Sequence, residues 1–265
     1  MNPAAGQPAA SPSTRQMNLH RLIRPLVLCG LAGWLSGCSL VRPTAGLGTG
    51  PRAFDFAHDT LAEPISDNSS PDNREPLAEP ARRGWADAWV TRQFFLHARF
   101  EPAAQPPTSA QRIALVREVL GRNPREACPE TRRVVVPGYA NLREFSRLHG
   151  YLLRTESWLG CAGASRAPLI TRAFETTDST AVIARLRTQV AANQPGLVQL
   201  YRRHQLRYQR ALLIFAVREG EGGLRFLAYD PAASRQQVEV SFNAATGKFQ
   251  VSDDATGDVG LHLPL

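Results

Sequence analysis

The chain has 265 residues, of which 43% are hydrophobic, 20% charged and 8% aromatic, with 20 Gly and 20 Pro. These proportions exclude a collagen-like, coiled-coil or multi-span membrane protein and allow one globular domain with a real core. Lys plus Arg number 31 against 23 for Asp plus Glu, a formal charge of +8, yet Lys248 is the single lysine, so the excess reads as a coding bias rather than a basic surface.

Residues 1–37 read as a processing segment. Arg15, Arg21 and Arg24 form a basic region, and Leu26 to Leu35 follow as an apolar run of 10 residues. That is half of the roughly 20 a membrane-spanning helix needs. The run ends in Leu35-Ser36-Gly37-Cys38, which resembles the bacterial lipobox, with an ordinary secretory signal as the alternative. The resemblance implies cleavage before Cys38, acylation of its sulfur and an envelope location. Ser39, where Asp commonly retains a lipoprotein in the inner membrane, implies the outer membrane. Removal of the three arginines leaves 28 cations against 23 acids, or +5. Scattered positives at that level give nucleic-acid binding no support.

Of four cysteines, Cys29 leaves with the signal and Cys38 is consumed by lipid, which leaves Cys128 and Cys161. In an oxidising compartment a disulfide between them is the expectation. Its loop of about 33 residues is worth on the order of 3 kcal/mol. The competing reading makes one of them a nucleophile. Neither shows metal-ligand spacing, so no metal and no cofactor is expected.

Residues 38–82 are rich in Pro, Gly, Ser, Asp and Asn without sustained periodicity and read as the acylated cysteine plus a flexible tether, leaving 83–265 as the domain. Trp85, Ala88, Trp89, Phe95, Leu96 and Phe100 predict a helix near 84–99. A second helix is predicted over 109–121 with Thr108 or Ser109 as its cap, then a short strand at 133–136 stopped by Pro137-Gly138. Asn141 caps a helix through Leu153, and Asp178 or Ser179 caps another over 178–191. After Pro195-Gly196 the period becomes two. Strands are predicted at 196–201, 211–217, 224–229, 237–242 and 249–251, with Gly-rich turns at 220–223 and 245–248. Helices first and an antiparallel sheet second is an α+β order.

That order, with Ala211 to Val217, a charged Gly-rich turn, and Leu224 to Tyr229-Asp230-Pro231, resembles the papain-like cysteine peptidases. Gly84-Trp85-Ala86 is similar to the Cys-Trp-Ala that opens the nucleophile helix of that family. The resemblance implies a papain-like fold over 84–251 and a cleft where Gly84, Arg210 and Asp230 stand for Cys, His and Asp. Such enzymes need a thiolate at a helix N-terminus, a His to hold its proton and an acid to orient the His. Glycine has no nucleophile and arginine stays protonated. On this mapping the domain is a pseudoenzyme whose Arg210 and Asp230 pair, and Asp230 doubles as a turn residue before Pro231.

Cys161, His204 and Asp230 stand in the right chain order for an alternative triad, that of a thiol hydrolase acting on peptides or acyl groups. His97 reads as a packing residue. Ser146 and His149 share a helix face without an acid. Arg202, Arg203, His204, Arg207 and Arg210 form the densest basic cluster, a hairpin end or a hold for an anion. The expected partners are the membrane, through Cys38, and an envelope protein, peptide or anionic ligand that the residues do not name.

Overall fold

The computed structural model describes residues 52–64, 78–163, 178–202, 207–220, 222–252 and 259–263; of 78–83, 158–163, 202 and 207–209 it describes the backbone alone. By proximity the chain divides into Met1–Gly46 and Leu47–Leu265, and every described residue belongs to the second unit. The signal segment, Cys38 and His204 lie outside the described residues.

Within the stretch expected to be tether, residues 52–64 are docked. Asp55 caps the single turn α1 (Phe56–Asp59) by accepting the Ala57 amide at 2.9 Å. Asp59, Thr60 and Leu61 are at most 2% exposed. Polar composition alone did not reveal this, because the anchors are a few well-placed apolar groups: Phe54 stacks on Phe215 with ring centroids 5.0 Å apart, and Phe56 meets Tyr229 edge-on at 6.1 Å.

Helix α2 (Ala78–His97) begins six residues earlier than its apolar stripe suggests. Pro80 does not prevent this, since a proline in the first turn lacks only an N–H that has no intrahelical acceptor. The helix leads directly into β1 (Ala98–Glu101), which pairs in parallel with β2 (Val134–Pro137). Between them α3 (Ser109–Gly121) starts at Thr108, one of the two caps the sequence suggested, in a capping box with Gln111. Buried Gln93 of α2 donates to the Arg122 carbonyl at 2.9 Å and to Leu120 at 3.3 Å, satisfying the carbonyl end of α3. Helix α4 (Leu142–Gly163) is capped by Asn141 and kinked at His149, where φ is −132° and ψ 29°. Helix α5 (Ser179–Ala191) ends in Asn193 at φ 52°, a left-handed stop of the kind asparagine tolerates.

The C-terminal strands overturn the papain-like expectation. β3 (Gly196–Arg202), β4 (Arg207–Gly220), β5 (Gly223–Tyr229), β6 (Gln237–Asn243), β7 (Lys248–Val251) and β8 (Val259–His262) form a closed antiparallel barrel in that order. The α+β order of helices before an antiparallel sheet holds, but a sheet closed into a barrel is not the papain-like one expected. The short strand β8, absent from the sequence reading, pairs with β3 from Gln199↔His262 to Arg202↔Val259 and closes the ring. Tight approach permits that seam: a β-carbon on Gly260 would lie 2.2 Å from the Tyr201 ring, its register partner.

Two cores share the β3–β4–β5 wall. Val198, Leu200, Leu212, Ile214, Phe226 and Ala228 belong to the barrel core with Val182 and Leu186 of α5. Leu197, Ala211, Leu213 and Tyr229 belong to the helical core with Trp85, Trp89 and Phe94 of α2. Hence Ala211 to Ile214 are all fully buried, and the strand reads as an apolar run rather than an alternation. A β-bulge between Ile214 and Ala216 leaves Phe215 out of the ladder and available to Phe54.

Candidate functional site

The sequence pointed to Gly84, Arg210 and Asp230. Arg210 lies inside β4 rather than before it, and Asp230 follows the last residue of β5. The antiparallel β4–β5 pairing brings them together: Arg210 Nη1 is 2.9 Å from Asp230 Oδ2, with side-chain exposures of 24% and 1%. The other Asp230 oxygen accepts the Ala232 amide at 2.9 Å and caps the 3-10 turn Pro231–Ala233.

Gly84 does not open a helix as the resemblance implied. It sits within α2 rather than at its mouth, and a β-carbon there would meet no atom within 4 Å. The helix therefore offers no free N–H groups at that position. Tyr229, next to Asp230 in sequence, belongs to the helical core, where its hydroxyl is buried near Asp87 and Thr91, one turn apart on α2. Burial first, then the Asp87 charge, push the ionisation of Tyr229 far above its usual range. At neutral pH Arg210 is thus a permanent cation holding the Asp230 carboxylate, and Tyr229 is a protonated phenol in the helical core. Neither an arginine nor a protonated phenol can act as a base at that pH.

The alternative triad divides differently. Cys161 lies in the last turn of α4, not in a loop, and its side chain is outside the described residues, as is all of His204. Cys128 carries a free, half-buried thiol. Arg122 Nη1 donates to its sulfur at 3.1 Å, and the thiol donates to the Arg132 carbonyl at 3.3 Å.

The histidines resolve into two settings. His97 is 2% exposed, and burial, reinforced by Arg122, Arg92 and Arg133, pushes its pKa down to about 4. His149, at the kink of α4, has Nε2 2.6 Å from the Tyr139 hydroxyl and Nδ1 3.5 Å from Arg112 Nη1. A guanidinium only donates, so Nδ1 is the acceptor and Nε2–H donates to Tyr139. Burial and the Arg112 charge hold His149 below its ordinary value. Ser146 is not part of this group: its hydroxyl accepts the Ala62 amide at 2.9 Å and donates to the Arg143 carbonyl at 3.1 Å, tying the 52–64 segment to α4.

Two arginines, one buried and one half-buried, escaped sequence reading because nothing in a sequence marks a cation that the fold will enclose. Arg92, 2% exposed, donates to the Pro195 carbonyl at 2.7 Å and to that of Pro124, and burial pushes its pKa down to about 10. Arg143 reaches the Thr60 hydroxyl and the Ser234 carbonyl and lies over the Phe56 ring at 5.9 Å. Among the described residues no group of three or more His, Cys, Asp or Glu is placed to hold a metal ion, and no helix is long and apolar enough to cross a membrane.

Residues 88–156 match a family described as a domain of unknown function (DUF8321). The matched stretch holds the second half of α2, then β1, α3, β2 and much of α4, with the Tyr139–His149–Arg112 group, and stops short of the barrel and the Arg210–Asp230 pair. No curated protein matches the chain. No solved structure matches it.

Proposed function

We propose that the chain is a lipoprotein of the outer membrane, acylated at Cys38, whose domain works by binding an envelope partner rather than by catalysis. The observation that supports a non-catalytic reading is the Arg210–Asp230 pair at 2.9 Å, in which the one acid shared by both sequence-derived triads is buried against a permanent cation. A carboxylate so engaged has no free edge for orienting an imidazole. The docked 52–64 segment leaves only residues 39–51 between Cys38 and Arg52. That stretch reaches at most about 50 Å when fully extended, so the domain works close to the bilayer surface.

Two measurements test this. The mature chain should stay with membranes in high salt, and Cys38→Ala should release it or stall processing, because stable anchoring needs more than one acyl chain. A Cys38→Ala chain that remains membrane-bound overturns the anchor. Peptide and thioester substrates should show no turnover, and activity abolished by Cys161→Ser in a reduced, folded sample would instead establish a thiol hydrolase. The proposed Cys128–Cys161 disulfide requires Cys128 to exchange its Arg122 contact for sulfur. Non-reducing mass spectrometry should find the two peptides linked.

A further inference from the structure

A cleft of about 240 Å³ lies between the docked 52–64 segment and the outer wall of the barrel. Its apolar side is formed by Phe54, Phe215 and Leu227, and its polar side by Arg218, Gln237 and Asn193. The bulge in β4 builds it, since without the extra residue Phe215 would not turn out of the ladder to face Phe54. The volume is below the range of about 300–1,000 Å³ typical of drug-sized ligands and suits roughly a dozen non-hydrogen atoms.

Charge decides what kind of molecule fits. Arg218 stands directly opposite Arg225 in the β4–β5 register, so the two cations share one face of the ladder. Arg225 is relieved by Glu239 at 3.6 Å. Among the described residues no carboxylate pairs with Arg218. A like-charged neighbour and no paired carboxylate among the described residues leave a cation whose local field an anion would offset. The Gln237 amide on the same cleft can orient a carboxylate's second oxygen.

We propose that this cleft binds a small organic monoanion with an apolar body, its carboxylate at Arg218 and its body between Phe54, Phe215 and Leu227. The site stands independently of the anchor and of the Arg210–Asp230 pair, and a chain that is never acylated would carry it unchanged. Because Phe54 belongs to the segment that leads back toward Cys38, the ligand bridges that segment and the barrel. Occupancy therefore favours the docked arrangement by mass action.

The experiment is calorimetric titration of the full chain carrying Cys38→Ser, which avoids partition of the probe into lipid, with 4-phenylbutyrate, 4-phenylbutanol and acetate. The acid should bind at least tenfold more tightly than the alcohol of the same body, and acetate, lacking the body, should not register. Arg218→Gln should bring the acid down to the alcohol's level. Ala216→Leu, which fills the cleft beside Phe215, should abolish binding of both while thermal melting confirms a folded chain. An N-acetylated dipeptide ending in phenylalanine tests whether the carboxylate of a peptide terminus is taken in place of a free acid: binding equal to 4-phenylbutyrate assigns the peptide source, and weaker binding the free acid. Equal binding of acid and alcohol, an unchanged Arg218→Gln, or no binding of the acid at ten-millimolar concentration would each overturn the proposal.

Discussion

His97 sits at the end of α2 among three arginines, and its neutral form is the one the fold accepts. Its pKa falls from an ordinary 6.5 to about 4, so between those values the unfolded chain binds the extra proton and the folded one does not. Stability should therefore be complete above pH 6.5 and decline as pH falls toward 4, by on the order of 2 kcal/mol after allowance for partial solvation. Urea unfolding midpoints across that range check this, and His97→Gln should flatten the decline. A midpoint that rises on acidification would refute the assignment. At Asp230 the energetics rest on pairing. Arg210→Ala leaves a carboxylate that is 1% exposed without its cation and should cost about 3 kcal/mol, close to the lower end for breaking a buried pair because the guanidinium is partly solvated. The double change Arg210→Met with Asp230→Asn should recover much of that loss, since it removes both charges together. Equal destabilisation in the single and double variants would show that the pair contributes little beyond its packing.

Among the elements, the docked segment before α2 is the one whose role rests on fewest residues. Leu61 is fully buried in the helical core, while most of its neighbours in sequence are polar. Leu61→Ala should cost about 3 kcal/mol, the usual range for removing a buried leucine, where the same change at an exposed tether position would cost nothing measurable. The segment should also become accessible to protease between residues 52 and 64 in that variant, which limited proteolysis reads directly. If Leu61→Ala leaves stability unchanged, the segment is not docked in solution. Helix α2 shows the opposite case, an element whose existence follows from its apolar periodicity but whose start does not. Pro80 and the polar residues around it mark a boundary by composition, whereas the first turn of a helix tolerates both.

For the whole molecule, closure of the barrel turns on the β3–β8 seam. Gly260→Ala would drive a β-carbon into the Tyr201 ring, and overpacking of this kind costs about 1–3 kcal/mol. The expected result is a lowered melting temperature together with faster amide exchange along Val259–His262 and its β3 partners, the last strand being the one that seals an otherwise open edge. Exchange unaffected at that seam would mean that β8 adds nothing to closure. The shared wall couples this to the helical half, because β3 and β4 present one face to the barrel core and the other to α2.

Local signals decided much of this protein directly. The Thr108, Asn141 and Asp178 caps and the Gly-rich turns are written in adjacent residues, and α3 and α5 stand where their patterns put them, while α4 starts at its cap but runs ten residues past Leu153. Asp230 before Pro231 is legible for the same reason, as a cap whose partner is two residues away. The Arg210–Asp230 contact was expected only from the papain-like resemblance; it is made because the antiparallel β4–β5 pairing brings the two residues together, not because the fold is papain-like. Closure was not legible, because Val259-Gly260-Leu261-His262 is four residues long and its partner lies some sixty positions earlier. The placement of Gly84 failed for a related reason: the resemblance rested on two residues at its side, while the helix start depended on what the preceding turn tolerates. Buried Arg92 and the docked Leu61 owe their roles to neighbours brought from distant parts of the chain. Periodicity and caps record interactions within a few residues, whereas sheet closure, buried cations and the cleft beside Phe215 arise only when separate segments meet.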